Sequence, residues 1–339
     1  MKRATLVGKC KYEIEQLEVP HAGPGEVRLK LKYNGICGSD LHIFMNEHPT
    51  LLDKFPIPLG HEFSGVIDEI GEGVEGFEIG MPATVQPVRT CGKCKWCTDK
   101  EGTIALCPEE RFYDGGTAEY YVAVAENIVA FKKCKSLQDA AMTEPLAVAV
   151  HGTKLVPGGL KGKSVLVTGA GTIGLLTAQA AKHYGASEVF VTDIVEKRLE
   201  IVKELGMVPI NPLKADIKSV LKEAIGEEKV EVSFECAGNE KSLADCIEFT
   251  ETRGVVILLA VFSKHPAVDM FRVEDRELRL FGAYQYNPSD FFEAADLVDE
   301  GVLNLAIMRG KEFDLDDVQE AIEWTIKNAN ECIKVMLKI

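Results

Sequence analysis

Four cysteines, Cys91, Cys94, Cys97 and Cys107, follow the spacing C-x2-C-x2-C-x9-C in a stretch with little regular pattern. Thiolates two residues apart can curl around one ion, and the longer gap brings the fourth back. A tetrahedral zinc with sulfurs at ~2.3 Å is therefore the economical reading. A shell closed by four protein ligands leaves no position for a substrate, which makes such a site structural. An iron–sulfur cluster and redox-active thiols remain as alternatives, although the spacing is not a standard cluster motif. Lys93, Lys95 and Lys100 could soften the thiolate charge or be merely solvated.

Two further patterns carry chemistry. Cys37-Gly38-Ser39-Asp40-Leu41-His42 and Gly60-His61-Glu62 offer a thiolate, imidazoles and carboxylates. Taken singly these carry little weight, since an isolated Cys or His is usually part of a core. Gly169-Ala170-Gly171-Thr172-Ile173-Gly174 is a G-x-G-x-x-G turn between a predicted strand at 164–168 and a predicted helix at 174–184. There Gly169 makes the turn, Gly171 lets the backbone approach a pyrophosphate, and Gly174 lets the helix pack on the strand. The backbone at Thr172 and Ile173 opens the helix N-terminus that attracts the phosphates. Asp193 ends the next predicted strand, where a carboxylate accepts hydrogen bonds from the adenosine ribose and repels a 2′-phosphate. Lys197 and Arg198 follow, placed to attract that phosphate or to contact ribose or adenine. NAD is preferred over NADP.

The elements that must position these groups fall into two kinds. Up to about residue 130, short apolar runs at 27–31, 65–70, 83–85, 120–124 and 128–131, broken by Gly and Pro, predict a loop-rich β-barrel or sandwich. From Lys163 strands alternate with helices: strands at 164–168, 188–192, 230–235, 254–260 and 278–283, helices at 174–184, 196–205 and 241–250. That grammar predicts a doubly wound parallel sheet, which a sixth strand would complete. Helices at 291–300 and 318–327 and a strand at 333–339 follow, too little for a third domain. The expected organisation is a catalytic domain over 1–146, a dinucleotide-binding domain over 147–286, and a return to the first over 287–339.

Bulk properties narrow the function. At 339 residues, two domains are the natural expectation. With 46% hydrophobic and 27% charged residues the chain is of ordinary globular composition, so disorder is not a contender. A net charge of −15 disfavours nucleic acid or an anionic membrane as partner. The uncharged run at 164–181 is long enough to raise a membrane helix, but its glycines and its strand-turn-helix grammar argue against one. Ten cysteines without an export signal suggest metal ligands in a cytoplasmic protein rather than a disulfide framework.

Taken in order, Gly35-Ile36-Cys37-Gly38-Ser39-Asp40, Gly60-His61-Glu62, the four-cysteine lobe, Gly115-Gly116-Thr117-Ala118-Glu119-Tyr120, Glu144-Pro145-Leu146 and the Gly-rich loop with Asp193 span nearly the whole chain. In this the sequence resembles the zinc-containing medium-chain dehydrogenases, the family of alcohol, sorbitol and threonine dehydrogenases. The resemblance implies a GroES-like catalytic domain beside a Rossmann domain, two zinc ions per chain, and hydride transfer between a secondary alcohol and NAD. By the same resemblance Cys37 and His61 are catalytic zinc ligands, with Glu144 in the third position, where polyol-type members carry Glu. Glu62 can ligate directly or alternate with water, so either carboxylate can complete the set. Ser39 and His42 match the relay that carries the alcohol proton to water, while His48 and His151 match no motif. A homotetramer is expected from relatives.

Two departures leave the substrate open: the Cys97-to-Cys107 gap is longer than usual, and only six residues separate Cys107 from Asp114. Ile43 also stands where some sorbitol-type relatives carry Tyr. Two other functions compete. A non-catalytic NAD-sensing protein on the same fold is opposed by the intact Cys37, His61 and Glu144 set. A zinc-independent quinone or enoyl reductase is opposed by the presence of metal residues at all.

Overall fold

In β3 (Glu26–Gly35), Val27, Leu29 and Leu31 alternate with less buried neighbours, the period of a strand with one face in a core. Those side chains pack with Phe63, Ile67, Ala83, Val85, Tyr121, Ala123 and Ile128. The structure, a computed structural model, describes residues 1–48, 50–98, 106–109 and 115–339. It divides into two compact units, Met1–Glu144 with Asn287–Ile339, and Pro145–Tyr286.

The first unit begins with β1 (Lys2–Gly8), β2 (Lys11–Gln16) and, after β3, α1 (Gly38–Phe44). Then come β4 (Ile57–Pro58), β5 (Glu62–Ile70), β6 (Pro82–Val85), α2 (Lys95–Thr98), β7 (Tyr120–Val124), β8 (Ile128–Ala130), α3 (Leu137–Ala141) and the start of α4 (Thr143–Lys154). β3 is the hub: it pairs antiparallel with β5 along its length and with β7 through Glu26–Lys30, and register shifts in its β5 ladder mark the bends of a curled sheet. Four of the five expected strand runs lie within these elements, and the fifth, 128–131, runs one residue past the end of β8. Strands β1, β2 and β4 were not expected. They form a separate three-stranded sheet whose outer strand β2 has no fully buried residue, so its hydrophobic signal is weak.

The second unit holds β9 (Ser164–Thr168), α5 (Thr172–His183), β10 (Glu188–Thr192), α6 (Glu196–Glu204), β11 (Val208–Ile210) and α7 (Ile217–Ile225). β12 (Val230–Glu235), α8 (Glu240–Phe249), β13 (Thr250–Leu258), α9 (Met270–Asp275) and β14 (Arg279–Gly282) complete it. The six parallel strands lie in the order β11-β10-β9-β12-β13-β14, which in chain order is 3-2-1-4-5-6, the Rossmann arrangement. All five residues of β9 are buried, as a central strand covered on both faces requires. The sixth strand is β11, whose three residues around Pro209 carry too short a pattern to announce themselves. The uncharged run at 164–181 is β9, a turn and most of α5, and among the described residues no helix is long and apolar enough to cross a membrane.

The chain then returns to the first unit as α10 (Pro288–Asp299), β15 (Arg309–Asp314), α11 (Val318–Lys327) and β16 (Lys334–Lys338). β16 pairs antiparallel with the end of β3, Met336 opposite Gly35. Phe313, Leu315, Val318, Ala321, Ile322, Val335 and Leu337 share one core with Ala4, Leu6, Ile36, Ile43 and Phe44. Each large apolar side chain buried this way contributes roughly 1.5–3 kcal/mol. Residues from the two ends of the chain thus hold α1, and with it the Cys37 motif, in place.

Candidate active site

In the second unit Gly169 has φ 91°, and a side chain on Gly174 would strike the Gly169 carbonyl oxygen at 1.7 Å. The turn between β9 and α5 closes this tightly only because both positions lack a Cβ. Asp193, just past β10, accepts the Ala170 N–H at 2.8 Å with Oδ2 and the Val195 N–H at 2.9 Å with Oδ1. Arg198 Nη1 lies 3.4 Å from Asp193 Oδ2, and a methyl on Gly171 would sit 4.0 Å from the same nitrogen. Asp193 and Arg198 therefore stand together at the mouth of the Gly-rich loop, with Thr172 and Ile173 opening α5.

In the first unit the sulfurs of Cys91, Cys94, Cys97 and Cys107 lie within 4.8 Å of one another. Cys91 Sγ is 3.9 Å and Cys94 Sγ 3.5 Å from Cys97 Sγ. Four sulfurs at ~2.3 Å from a tetrahedral zinc would be ~3.8 Å apart, so this set fits the ion. Backbone N–H groups of Cys94 and Glu109 point at the sulfurs of Cys91 and Cys107, at 3.4 Å each, a geometry that suits thiolates. The Thr90 hydroxyl beside Cys97 draws that thiol down to about 6. Lys100 and the altered stretch at 110–114 lie outside the described residues.

The Cys37, His61 and Glu62 donors also lie within 4.8 Å of one another, with His61 and Glu62 buried. Cys37 caps α1, and its backbone N–H donates to Asp40 Oδ2 at 3.0 Å. His61 is aimed by Gly60, which has φ 101° and where a Cβ would strike Thr117 Oγ1 at 2.3 Å. The other oxygen of Asp40 faces His61 Nδ1 at 3.8 Å, a charge contact longer than a hydrogen bond. Burial, reinforced by the Glu62 carboxylate, pushes the Cys37 thiol up to about 12, and burial likewise raises Asp40. Cys37 and Asp40, buried and reluctant to ionise beside Glu62 and His61, fit a divalent cation among them. Glu144, buried at the start of α4, is not in the 4.8 Å group. Ser39 and His42, three residues apart on α1, share a face of that helix. Ser39 Oγ and His42 Nδ1 are shielded from solvent; the Ser39 hydroxyl stands against the Cys37 thiol, and His42 Nδ1 has no hydrogen-bond partner among the described residues.

Two charged residues at this site were not singled out from the sequence. Asp40 was quoted only as part of a motif. Lys334, in β16, is 2% exposed and forms an ion pair with Glu62, and its Nζ donates to the Ile36 carbonyl at 3.0 Å. Burial alone would lower its ammonium, but Glu62 and Cys37 beside it more than offset that and hold it above the ordinary lysine value. No local pattern announces it, because a lysine in a terminal strand reads as solvated.

Comparison with known proteins agrees with this geometry. Residues 23–133 match the alcohol dehydrogenase GroES-like domain and residues 172–300 the zinc-binding dehydrogenase family. The chain is 30% identical to sorbitol dehydrogenase of Bacillus subtilis, over 99% of this chain and 97% of that one. It superposes on L-idonate 5-dehydrogenase of Escherichia coli with a TM-score of 0.89 at 28% identity, covering 100% of this chain and 98% of that one. A chain from Sinorhizobium meliloti solved with NADP bound gives a TM-score of 0.89 at 29% identity, covering 100% and 99%. With a nucleotide loop on a Rossmann sheet and metal-ligating donors in a GroES-like unit, the chain belongs to the zinc-containing medium-chain dehydrogenases, as an alcohol/polyol dehydrogenase dependent on zinc and a nicotinamide cofactor.

Proposed function

We propose that this enzyme oxidises a secondary hydroxyl of a polyol, sugar or sugar acid with NAD, and that the Cys37, His61 and Glu62 cluster is its catalytic centre. The convergence of those three donors within 4.8 Å is the observation that carries the reading. The unit containing them is the catalytic domain, and Pro145–Tyr286 binds the cofactor. Cys37 and His61 hold a catalytic zinc together with a carboxylate from Glu62 or Glu144. Cys91, Cys94, Cys97 and Cys107 hold a second, structural zinc. When bound, a zinc there would supply Lewis acidity toward a substrate hydroxyl, and a nicotinamide cofactor would supply the hydride acceptor.

The protein's own part is orientation and proton transfer. Asp40 faces the His61 ring and holds the N-terminus of α1. Ser39 accepts the substrate proton, and His42 passes it outward, which suits a hydroxyl beside Cys37 and a ring nitrogen shielded from solvent without a partner among the described residues. Gly169, Gly171 and Gly174 admit the pyrophosphate, with Thr172 and Ile173 at the helix N-terminus, and Asp193 binds the ribose hydroxyls. Arg198 packs beside that carboxylate, and a carboxylate at this position, which repels a 2′-phosphate, favours NAD over NADP. The sugar-type substrate follows from the sorbitol and L-idonate dehydrogenases among its relatives.

The same reading places the enzyme in the cytoplasm, where thiolate ligands stay reduced. It also makes it a homotetramer. Among the described residues β14 ends the six-stranded sheet with one ladder edge unpaired, a place for another copy to join. The test is NADH formation followed at ~340 nm across polyols, sugar acids, 3-hydroxy amino acids and simple alcohols, with and without a zinc chelator. Chelator-sensitive turnover of a polyol or sugar acid is expected. Turnover confined to simple alcohols, or insensitive to zinc removal, would overturn it.

A further inference from the structure

Among the described residues Lys334 is the only Lys or Arg in the fully buried class, and it sits beside the three donors of the catalytic cluster. Burying an ammonium is costly unless its partners are well placed. Here three features place them. The Ile36 N–H donates to the Val335 carbonyl at 3.0 Å, locking the strand that carries Lys334 against the segment entering Cys37. The Ile36 carbonyl takes one proton of the ammonium at 3.0 Å. Gly35 leaves a bare surface for the pair: a Cβ there would lie 2.2 Å from Glu62 Oε2 and 2.7 Å from Lys334 Cε. A glutamate on the adjoining strand, its carboxylate among metal donors, is thus tethered by one oxygen to a fixed cation.

A carboxylate can hold a cation with one oxygen or with both, whereas a catalytic zinc needs a position left open for substrate. We propose that Lys334 is a positioning residue that, by holding one oxygen of Glu62, prevents that carboxylate from closing on the metal with both, so that a coordination position stays available for the substrate hydroxyl. Lys334 also offsets one negative charge in a cluster that already contains Cys37, Asp40 and Glu62. The inference rests on the zinc reading above and concerns which groups restrain the ligand, not whether a ligand is present.

The test uses the full-length enzyme with cobalt(II) exchanged into the catalytic site, because visible cobalt absorption reports coordination geometry independently of turnover. Lys334→Met is expected to lose absorption intensity as Glu62 closes on the metal. Its kcat should fall about 10–100-fold with an unchanged KM for NAD. Adding Glu62→Gln, which removes the second anionic oxygen, is expected to restore the spectrum, a rescue that a merely structural lysine would not show. If Lys334→Met does not accumulate folded, Gly35→Ala asks the same question with both charges kept, since its methyl displaces the pair, and the same spectral loss is expected. An unaltered cobalt spectrum in the folded variant would overturn the role of Lys334 while leaving the zinc reading intact. No cobalt signal from the catalytic site of the unaltered enzyme would overturn that reading, and this inference with it.

Discussion

The first unit carries two clusters able to hold a metal, built on opposite principles. The four-cysteine lobe comes from one stretch of chain, Cys91 to Cys107, with three of its cysteines partly exposed, Cys107 buried, and N–H groups from its own loop. The Cys37 cluster is assembled from the N-terminus of α1, the start of β5 and, through Lys334, the last strand, and its donors are of three chemical kinds. Four like anions supplied locally close a shell and stabilise a loop that has little core of its own. Mixed donors brought together by long-range packing leave charge and geometry to be tuned by neighbours such as Asp40 and Lys334, which a reaction needs.

The comparison breaks if the two clusters respond alike to losing a ligand. Cys37→Ala should lower kcat more than ~100-fold, beyond the range for residues that act only through a ligand, while the thermal transition stays nearly in place. Zinc content should fall from two ions per chain to one. Loss of activity only in proportion to unfolded material would put Cys37 on the same footing as the lobe. Cys94→Ala should instead act on stability, by about 3 kcal/mol, seen as a lowering of Tm by roughly 6–12 °C, with a much smaller change in the kcat of the molecules that remain folded. A variant that melts normally yet is inactive would reverse the assignment.

Asp40→Asn sharpens the comparison at smaller scale. It removes the charge facing His61 Nδ1 while keeping an acceptor for the Cys37 N–H. A 10-fold to 100-fold fall in kcat is expected, together with weaker zinc retention at one of the two sites when chelator is titrated in. Equal retention at both would leave Asp40 as a helix cap alone.

Much of the fold was legible because its signals are local. Strands β9 and β10 carry apolar runs at 165–167 and 189–191, β12 alternates Val230, Val232 and Phe234 with polar residues, and the G-x-G-x-x-G turn sits where a strand must hand over to a helix. The weaker elements were not legible. β11 has three residues, one of them proline, and β2 spends its alternation on charged, half-exposed positions. At the site, Cys37, His61 and Glu62 could be named from their motifs, since metal chemistry restricts which side chains serve. Glu144 could be named too, yet its distance from the other donors was not in the motif.

By itself, then, the sequence determined the donor inventory, the nucleotide loop and the alternation that builds two kinds of sheet, because each depends on residue type and spacing over a few turns of chain. Only the tertiary structure brought the Glu62 carboxylate within 4.8 Å of Cys37 and His61, set Asp40 facing His61, and buried a lysine 298 positions from Ile36 against Glu62. The physical reason is strand register. Met336 lies opposite Gly35, and this pairing of remote segments buries Lys334 beside its carboxylate; a shift of one residue would turn that side chain to the other face of the sheet.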